Sequence, residues 1–177
     1  MAARWYRKKR TQQVRLLVIH TAECGKTSKA AENIMAYNQR RDTKVSCHEA
    51  VDNNSAVAGV RPWDVAWTQG VVNDVAYSYE LAGRAKQTKA EWEDEYNTKM
   101  LAILARRVAL AAVCYDIPVR KLSPAAVKRG DAGICGHWDI TKAYEVKGGH
   151  WDPGANFPWK RFIAQVKEQV QVIKAGG

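Results

Sequence analysis

The tetrapeptide Gly-His-Trp-Asp occurs twice in quick succession, as Gly136-His137-Trp138-Asp139 and as Gly149-His150-Trp151-Asp152. The second copy runs into Pro153-Gly154 and then Asn156-Phe157-Pro158-Trp159. The chain has 4 histidines in all, and two of them stand here beside carboxylates. Imidazole and carboxylate together suit a zinc ion, which commonly takes three protein ligands and keeps one position for water. A third ligand must come from elsewhere, and His20, at the end of an apolar run, is the candidate. Asp152 directly precedes Pro153-Gly154, a constrained turn that limits the entropy lost on binding a metal. The loop between the copies is of a kind that brings His137 and Asp152 to one ion. Such a site also needs rigid supports and a general base close to the water.

The elements that must supply the supports are legible as patterns. Val14-Arg15-Leu16-Leu17-Val18-Ile19 is a short, partly β-branched run that suits a buried strand, with His20 at its C-terminal end. Thr27-Ser28 predicts the cap of a helix reaching about residue 39, with Ala30, Ile34, Met35 and Tyr37 at helical spacing. Residues 44–51 read as a second strand, Asn53-Asn54-Ser55 as a hairpin turn into 56–60, and 75–81 as a further strand ended by Gly83. The longest helix is expected over 88–115. Thr88 and Glu91 make a capping box, and Trp92, Tyr96, Met100, Ile103, Leu104 and Val108 follow until Pro118 stops the run. Cys114 falls on that apolar face and is expected in the core. Ser123-Pro124 begins a short helix, and 130–136 reads as a loop or short strand. Pro158 opens a last helix with Phe162, Ile163, Val166, Val170 and Ile173 on one face. This order predicts an α/β fold with a central mixed β-sheet flanked by α-helices. A single domain is expected over 1–177, with a basic N-terminal extension at about 1–12.

Composition agrees with one ordinary globular domain: 177 residues, 46% hydrophobic and 26% charged. No stretch approaches the ~18 apolar residues of a membrane span. The basic N-terminus is followed by Thr11-Gln12-Gln13 where a signal peptide needs an apolar core, so the chain reads as made in the cytoplasm. The net charge of +10 implies attraction to a polyanion: nucleic acid, an anionic membrane or a phosphate-rich bacterial wall. No recognised nucleic-acid motif accompanies it. Cys24, Cys47, Cys114 and Cys135 form no CxxC pair and read as reduced thiols.

Leu17-Val18-Ile19-His20-Thr21-Ala22, Val45-Ser46-Cys47-His48-Glu49-Ala50-Val51, Ala66-Trp67, Tyr79-Glu80-Leu81-Ala82-Gly83, Gly136-His137-Trp138-Asp139-Ile140 and Asp152-Pro153-Gly154 follow one another along the chain. That ordered set resembles the zinc N-acetylmuramoyl-L-alanine amidases of type 2, a family that includes phage endolysins and shares its fold with peptidoglycan recognition proteins. The resemblance runs from about His20 to Trp159. It implies one Zn2+ held by His20, His137 and Asp152, and Glu80 as the glutamate that activates the zinc-bound water. His150 falls where the family often has a lysine, or otherwise a threonine or histidine, that supports the tetrahedral intermediate. The implied reaction is hydrolysis of the amide joining N-acetylmuramic acid to L-alanine in peptidoglycan. The expectation is a monomeric phage or prophage endolysin that acts at the wall after release, its basic surface drawn to anionic wall polymers. A non-catalytic peptidoglycan-binding module on the same fold is the alternative; such relatives tend to lose a ligand. The chain departs from the family at Thr68, where a histidine or another polar group commonly follows Ala-Trp, and in the loop 141–149.

Other residues have plainer readings. His48 is expected in a structural hydrogen bond and Cys135 in the core, although either is a possible ligand by type. A Cys47-His48 catalytic dyad fails because neighbours on a strand point to opposite faces. Asp139 is expected to bond the loop or orient a ligand imidazole. Trp67, Trp138 and Trp151 line a sugar or peptide cleft or else pack in the core.

Overall fold

The computed structural model of the chain describes residues 3–176; Met1, Ala2 and Gly177, the ends of the expected domain, lie outside them. The elements in chain order are β1 (Tyr6–Arg7), β2 (Leu16–Thr21), α1 (Ala30–Asn38), β3 (Glu49–Val51), β4 (Ala56–Ala58) and β5 (Val65–Ala66). A 3-10 turn (Gly70–Val75) leads into β6 (Ala76–Leu81), followed by α2 (Lys89–Trp92), α3 (Glu95–Cys114) and α4 (Pro124–Arg129). The chain continues through β7 (Gly133–Gly136), α5 (His137–Ala143) and α6 (Trp159–Ala175). Five strands form one sheet in the order β4-β3-β6-β2-β7. Only β4 runs antiparallel to its neighbour, so the sheet is mixed as expected.

Strand β2 lies between β6 and β7, which saturates its backbone on both sides and explains why its run carries almost no polar residue. Alternation then divides it. Leu17 and Ile19 join Met100, Leu104 and Val108 of α3 and Phe162 and Val166 of α6 in the main core. Leu16 and Val18 face the other way, with Val127 of α4, Cys135 of β7 and Ile140 of α5. Helix α1 packs on this second side against Cys47 and Ala50. The result is a sheet covered on both faces. No helix among the described residues is long and apolar enough to cross a membrane.

Several local expectations shift, each for a tertiary reason. Of the strand expected over 44–51 only the last three residues join the ladder, because Ser46 bonds Trp67 on both backbone and side chain instead. Helix α1 starts beyond Thr27-Ser28. Its Lys29 cap makes no side-chain bond, and the Ala31 N–H is satisfied by the Asp52 carboxylate of the β3–β4 hairpin at 3.0 Å. The capping box of Thr88 and Glu91 forms, but the long helix breaks after α2, and Asp94 recaps α3 by accepting from Asn97 N–H at 2.7 Å. Cys114 is exposed, not in the core: it lies two residues past buried Ala112, ~200° further round the helix. The basic extension is docked on the body through β1, which pairs with β5.

His48 takes the structural place expected of it. Its Nδ1 accepts the Ser78 backbone N–H at 3.0 Å, its Nε2 lies 3.3 Å from the Asp64 carbonyl, and the Arg10 guanidinium stands 2.7 Å from Nε2. Burial, with Arg10 adding to it, lowers the imidazole from 6.5 to about 3. A depressed folded-state value means the unfolded chain takes up a proton first as the pH falls. Stability from this group is therefore complete above about pH 6.5 and is lost towards about pH 3, with a slope of at most ~1.4 kcal/mol per pH unit. Urea unfolding across that window should show a pH slope shallower by up to one proton in His48→Gln than in the unmodified chain; equal slopes would refute the assignment.

Candidate active site

His20, the penultimate residue of β2, lies on the side of Leu16 and Val18, away from the α3–α6 core. Parallel register sets it directly beside Glu80 of β6, so the two side chains emerge on one face. On the other flank, Gly136 of β7 pairs with Ile19, which delivers His137 one residue later. His137 opens helix α5, which takes up part of the stretch expected as a loop between the two copies; its N-terminus is tied by Asp139 accepting from Gly136 N–H at 2.8 Å and from Lys121 Nζ at 2.7 Å. Asp139 thus bonds the loop, the first of its two expected roles.

The second tetrapeptide packs on the first. Trp138 N–H donates to the Asp152 carbonyl at 3.0 Å. A Cβ on Gly136 would stand 2.6 Å from Pro153 Cδ, so a side chain there would push Asp152 away. Gly154 is fixed more stringently: its φ is 92°, and a Cβ would meet the Ala85 carbonyl oxygen at 1.8 Å. The two glycines let the copies approach closely enough for residues 137 and 152 to share a centre.

That centre is built. One ligand atom each from His20, His137 and Asp152 lie within 4.8 Å of one another, and all three residues are buried. Asp152 Oδ2 is 3.0 Å from His20 Nδ1, and Asp152 Oδ1 is 3.4 Å from His137 Nδ1. Donors bound tetrahedrally at 2.0–2.1 Å from one ion would stand ~3.4 Å apart. Oδ2 is buried and has no properly directed hydrogen bond even at that short distance, as expected of lone pairs converging on a shared point. His20 Nε2 lies 3.3 Å from the buried Gln69 Oε1, which accepts its N–H and leaves Nδ1 unprotonated towards the centre. The donor set, two imidazoles and a carboxylate with room beside them, fits a zinc ion.

Electrostatics follow from burial and proximity. Burial alone would raise the Asp152 carboxyl, but the close imidazoles of His137 and His20 outweigh it and hold it below the usual carboxylate range. Burial lowers His137, with Asp152 pulling part of the way back. Glu80 is pushed well up by burial first, then by the negative charges of Asp152 and Glu23. Its Oε2 is buried without a partner.

These groups line one end of a cavity of about 690 Å³, whose walls continue along α1 to Tyr37 and Asn38 and across to Ser46 and Thr68. His150 is exposed at the mouth, its ring stacked on His137 at 4.6 Å and 9°. Its Nδ1 is 3.8 Å from Asp152 Oδ1, outside the three-residue cluster. Cys135 is buried among apolar neighbours and is core. Trp67, Trp138 and Trp151 are exposed at 38%, 43% and 50%, so none packs in the core, and none is among the residues lining this cavity. Thr68 does line it, its hydroxyl bonded to the Ser46 carbonyl at 2.6 Å. Gln69 is the residue that sequence reasoning missed; nothing in its local pattern marks it, because its role is a contact across the fold.

A protein-family model described as N-acetylmuramoyl-L-alanine amidase matches residues 10–155. No curated protein sequence matches the chain. Among solved structures it is similar to the Staphylococcus aureus hydrolase AmiA in complex with its ligand, at 16% identity and a TM-score of 0.69, covering 93% of this chain and 76% of that one. A selenomethionine AmpD derivative is similar at 22% identity and a TM-score of 0.61, covering 94% and 92%. A mutant endolysin from Bacillus subtilis is similar at 14% identity and a TM-score of 0.60, covering 90% and 92%. At these identities the structures share the fold.

Proposed function

The chain belongs to the N-acetylmuramoyl-L-alanine amidase family, and from that premise we propose that it is a zinc-dependent enzyme, cutting the amide between N-acetylmuramic acid and L-alanine, and that it serves as a phage or prophage endolysin. One observation carries the zinc reading: the convergence of His20, His137 and Asp152 into a buried cluster, with an Asp152 oxygen that has no hydrogen-bond partner. Those three residues would hold the ion. Zinc bound there would supply Lewis acidity towards the scissile carbonyl and water, and a positive charge that favours the ionised form of Glu80.

The chain's own residues then divide the work. Gln69 fixes the His20 ring and keeps its Nδ1 free. Glu80, beside His20 and facing the same cavity, accepts the proton of the attacking water at its carboxylate and returns it to the departing alanine nitrogen. His150, at the mouth and in contact with solvent, donates a hydrogen bond to the oxyanion that develops on the carbonyl. The half-buried placement of Glu80 strengthens its interaction with charge on the reacting atoms relative to water.

We read residues 1–177 as one catalytic unit acting as a monomer on the cell wall. The net charge of +10 favours anionic wall polymers over a neutral surface. The deciding experiment incubates the protein with peptidoglycan, with and without a chelator, and measures new N-terminal alanine against new reducing sugar. The expected product is N-terminal alanine, formed only without chelator. New reducing ends alone would mean a glycosidase, and binding without either product would mean a non-catalytic module.

A further inference from the structure

The family match begins at residue 10, yet the residues before it are built into the rim of the cavity. Arg4 N–H donates to the Asn38 carbonyl at 3.2 Å, and Asn38 is a cavity wall. Trp5 lays its ring against Trp67, with centroids 5.9 Å apart and planes at 30°. It donates its indole N–H to the Arg40 carbonyl at 3.1 Å. Strand β1 then clips the arm to β5, with Tyr6 opposite Ala66. Trp67 is bonded through its backbone to Ser46 and precedes Thr68, both of which line the cavity.

We propose that this arm, residues 3–9, is a glycan-binding rim, with Trp5 and Trp67 as the platform for a sugar ring of the strand whose stem peptide is cut. This rests on the amidase reading above, because continuity with the active-site cavity is what identifies the occupant. A peptidoglycan chain held at the metal cluster can leave the cavity only as glycan or as stem peptide. With its indole N–H already used, Trp5 offers ring-carbon surface, and Trp67 is 38% exposed beside it. The electron-rich face of an indole attracts the C–H face of a pyranose. The position also fits. Gln69, which holds His20, is two residues beyond Trp67, and Thr68 between them lines the cavity.

The test uses the full chain and a peptide-free oligomer of N-acetylglucosamine, followed by tryptophan fluorescence or calorimetry. Saturable binding is expected, weakened roughly three- to ten-fold in Trp5→Ala and largely retained in Trp5→Tyr. Trp67→Ala, outside the arm, should weaken it similarly, and melting curves on each variant identify any loss due to misfolding. No saturable binding by the unmodified chain, or undiminished binding by both alanine variants, would overturn the proposal. So would binding that survives in the variants but vanishes in high salt, since surface charge would then be its source. Release of N-terminal alanine is scored separately: a protein that binds the oligomer and releases none keeps the rim and loses the amidase reading.

Discussion

Glu80→Gln should abolish turnover on peptidoglycan while leaving bound zinc at the level of the unmodified protein. Loss of a general base costs ~10²–10⁴-fold in rate, and the substitution preserves the shape of the side chain. The same change should not harm the fold. In the metal-free protein Glu80 is a half-buried carboxyl pushed well above 4.5 by desolvation, Asp152 and Glu23. A raised folded-state value means that stability is complete below about pH 4.5 and is lost as the pH rises through the folded value. A neutral amide removes that loss, so the metal-free variant should melt no lower than the unmodified chain at neutral pH. Zinc content by elemental analysis, melting curves and alanine release separate the outcomes. Loss of zinc would make Glu80 a ligand, and retained turnover would remove it from the mechanism.

The second large effect is expected at Asp152. Asp152→Ala removes the carboxylate that stands within 3.4 Å of both imidazole nitrogens, and leaves His20 and His137 as a two-ligand site. Zinc binding should fall steeply and turnover should drop below detection. A ligand that binds only the folded state stabilises it by RT ln(1 + [L]/Kd), ~2.7 kcal/mol at a free concentration of 100 times Kd. Added zinc should therefore raise the melting temperature of the unmodified chain and leave that of the variant unmoved. Residual binding that disappears on combining His150→Ala with Asp152→Ala would identify His150 as the group that steps in. An Asp152→Ala protein with full zinc and full turnover would refute the centre.

Much of the fold was legible because it is written in short-range patterns. The apolar run of β2, the hairpin at Asn53-Asn54-Ser55, the capping box of Thr88 and Glu91 and the Pro158 helix each follow from burial period or turn chemistry within a few residues. The failures lie where a distant partner intervenes. Asp52 takes over the cap of α1, and Trp67 draws Ser46 out of a strand ladder. Asp94, bonded to Lys26 at 2.6 Å, caps a second helix where one was expected. Helix α5 escaped notice because its N-terminal signal is a glycine, with the stabilising carboxylate three residues inside.

By itself, the sequence determined which residues carry chemistry: the histidines, the carboxylates beside them, and their order along the chain. It also determined that His20 ends a rigid buried strand, since an uninterrupted apolar run leaves few other conformations. The resemblance in the sequence already implied that the two Gly-His-Trp-Asp copies are unequal, and only the tertiary structure supplied the physical reason. The first gives its histidine to the cluster and the second its aspartate, because Gly136 admits Pro153 and the Trp138 N–H holds the Asp152 backbone. It also decided which nitrogen of His20 is free, that Glu80 stands beside it, and that the N-terminal arm reaches the cavity rim. The reason is physical: periodicity and caps act between near neighbours in the chain, whereas a site is made by register and packing between residues that are far apart in it.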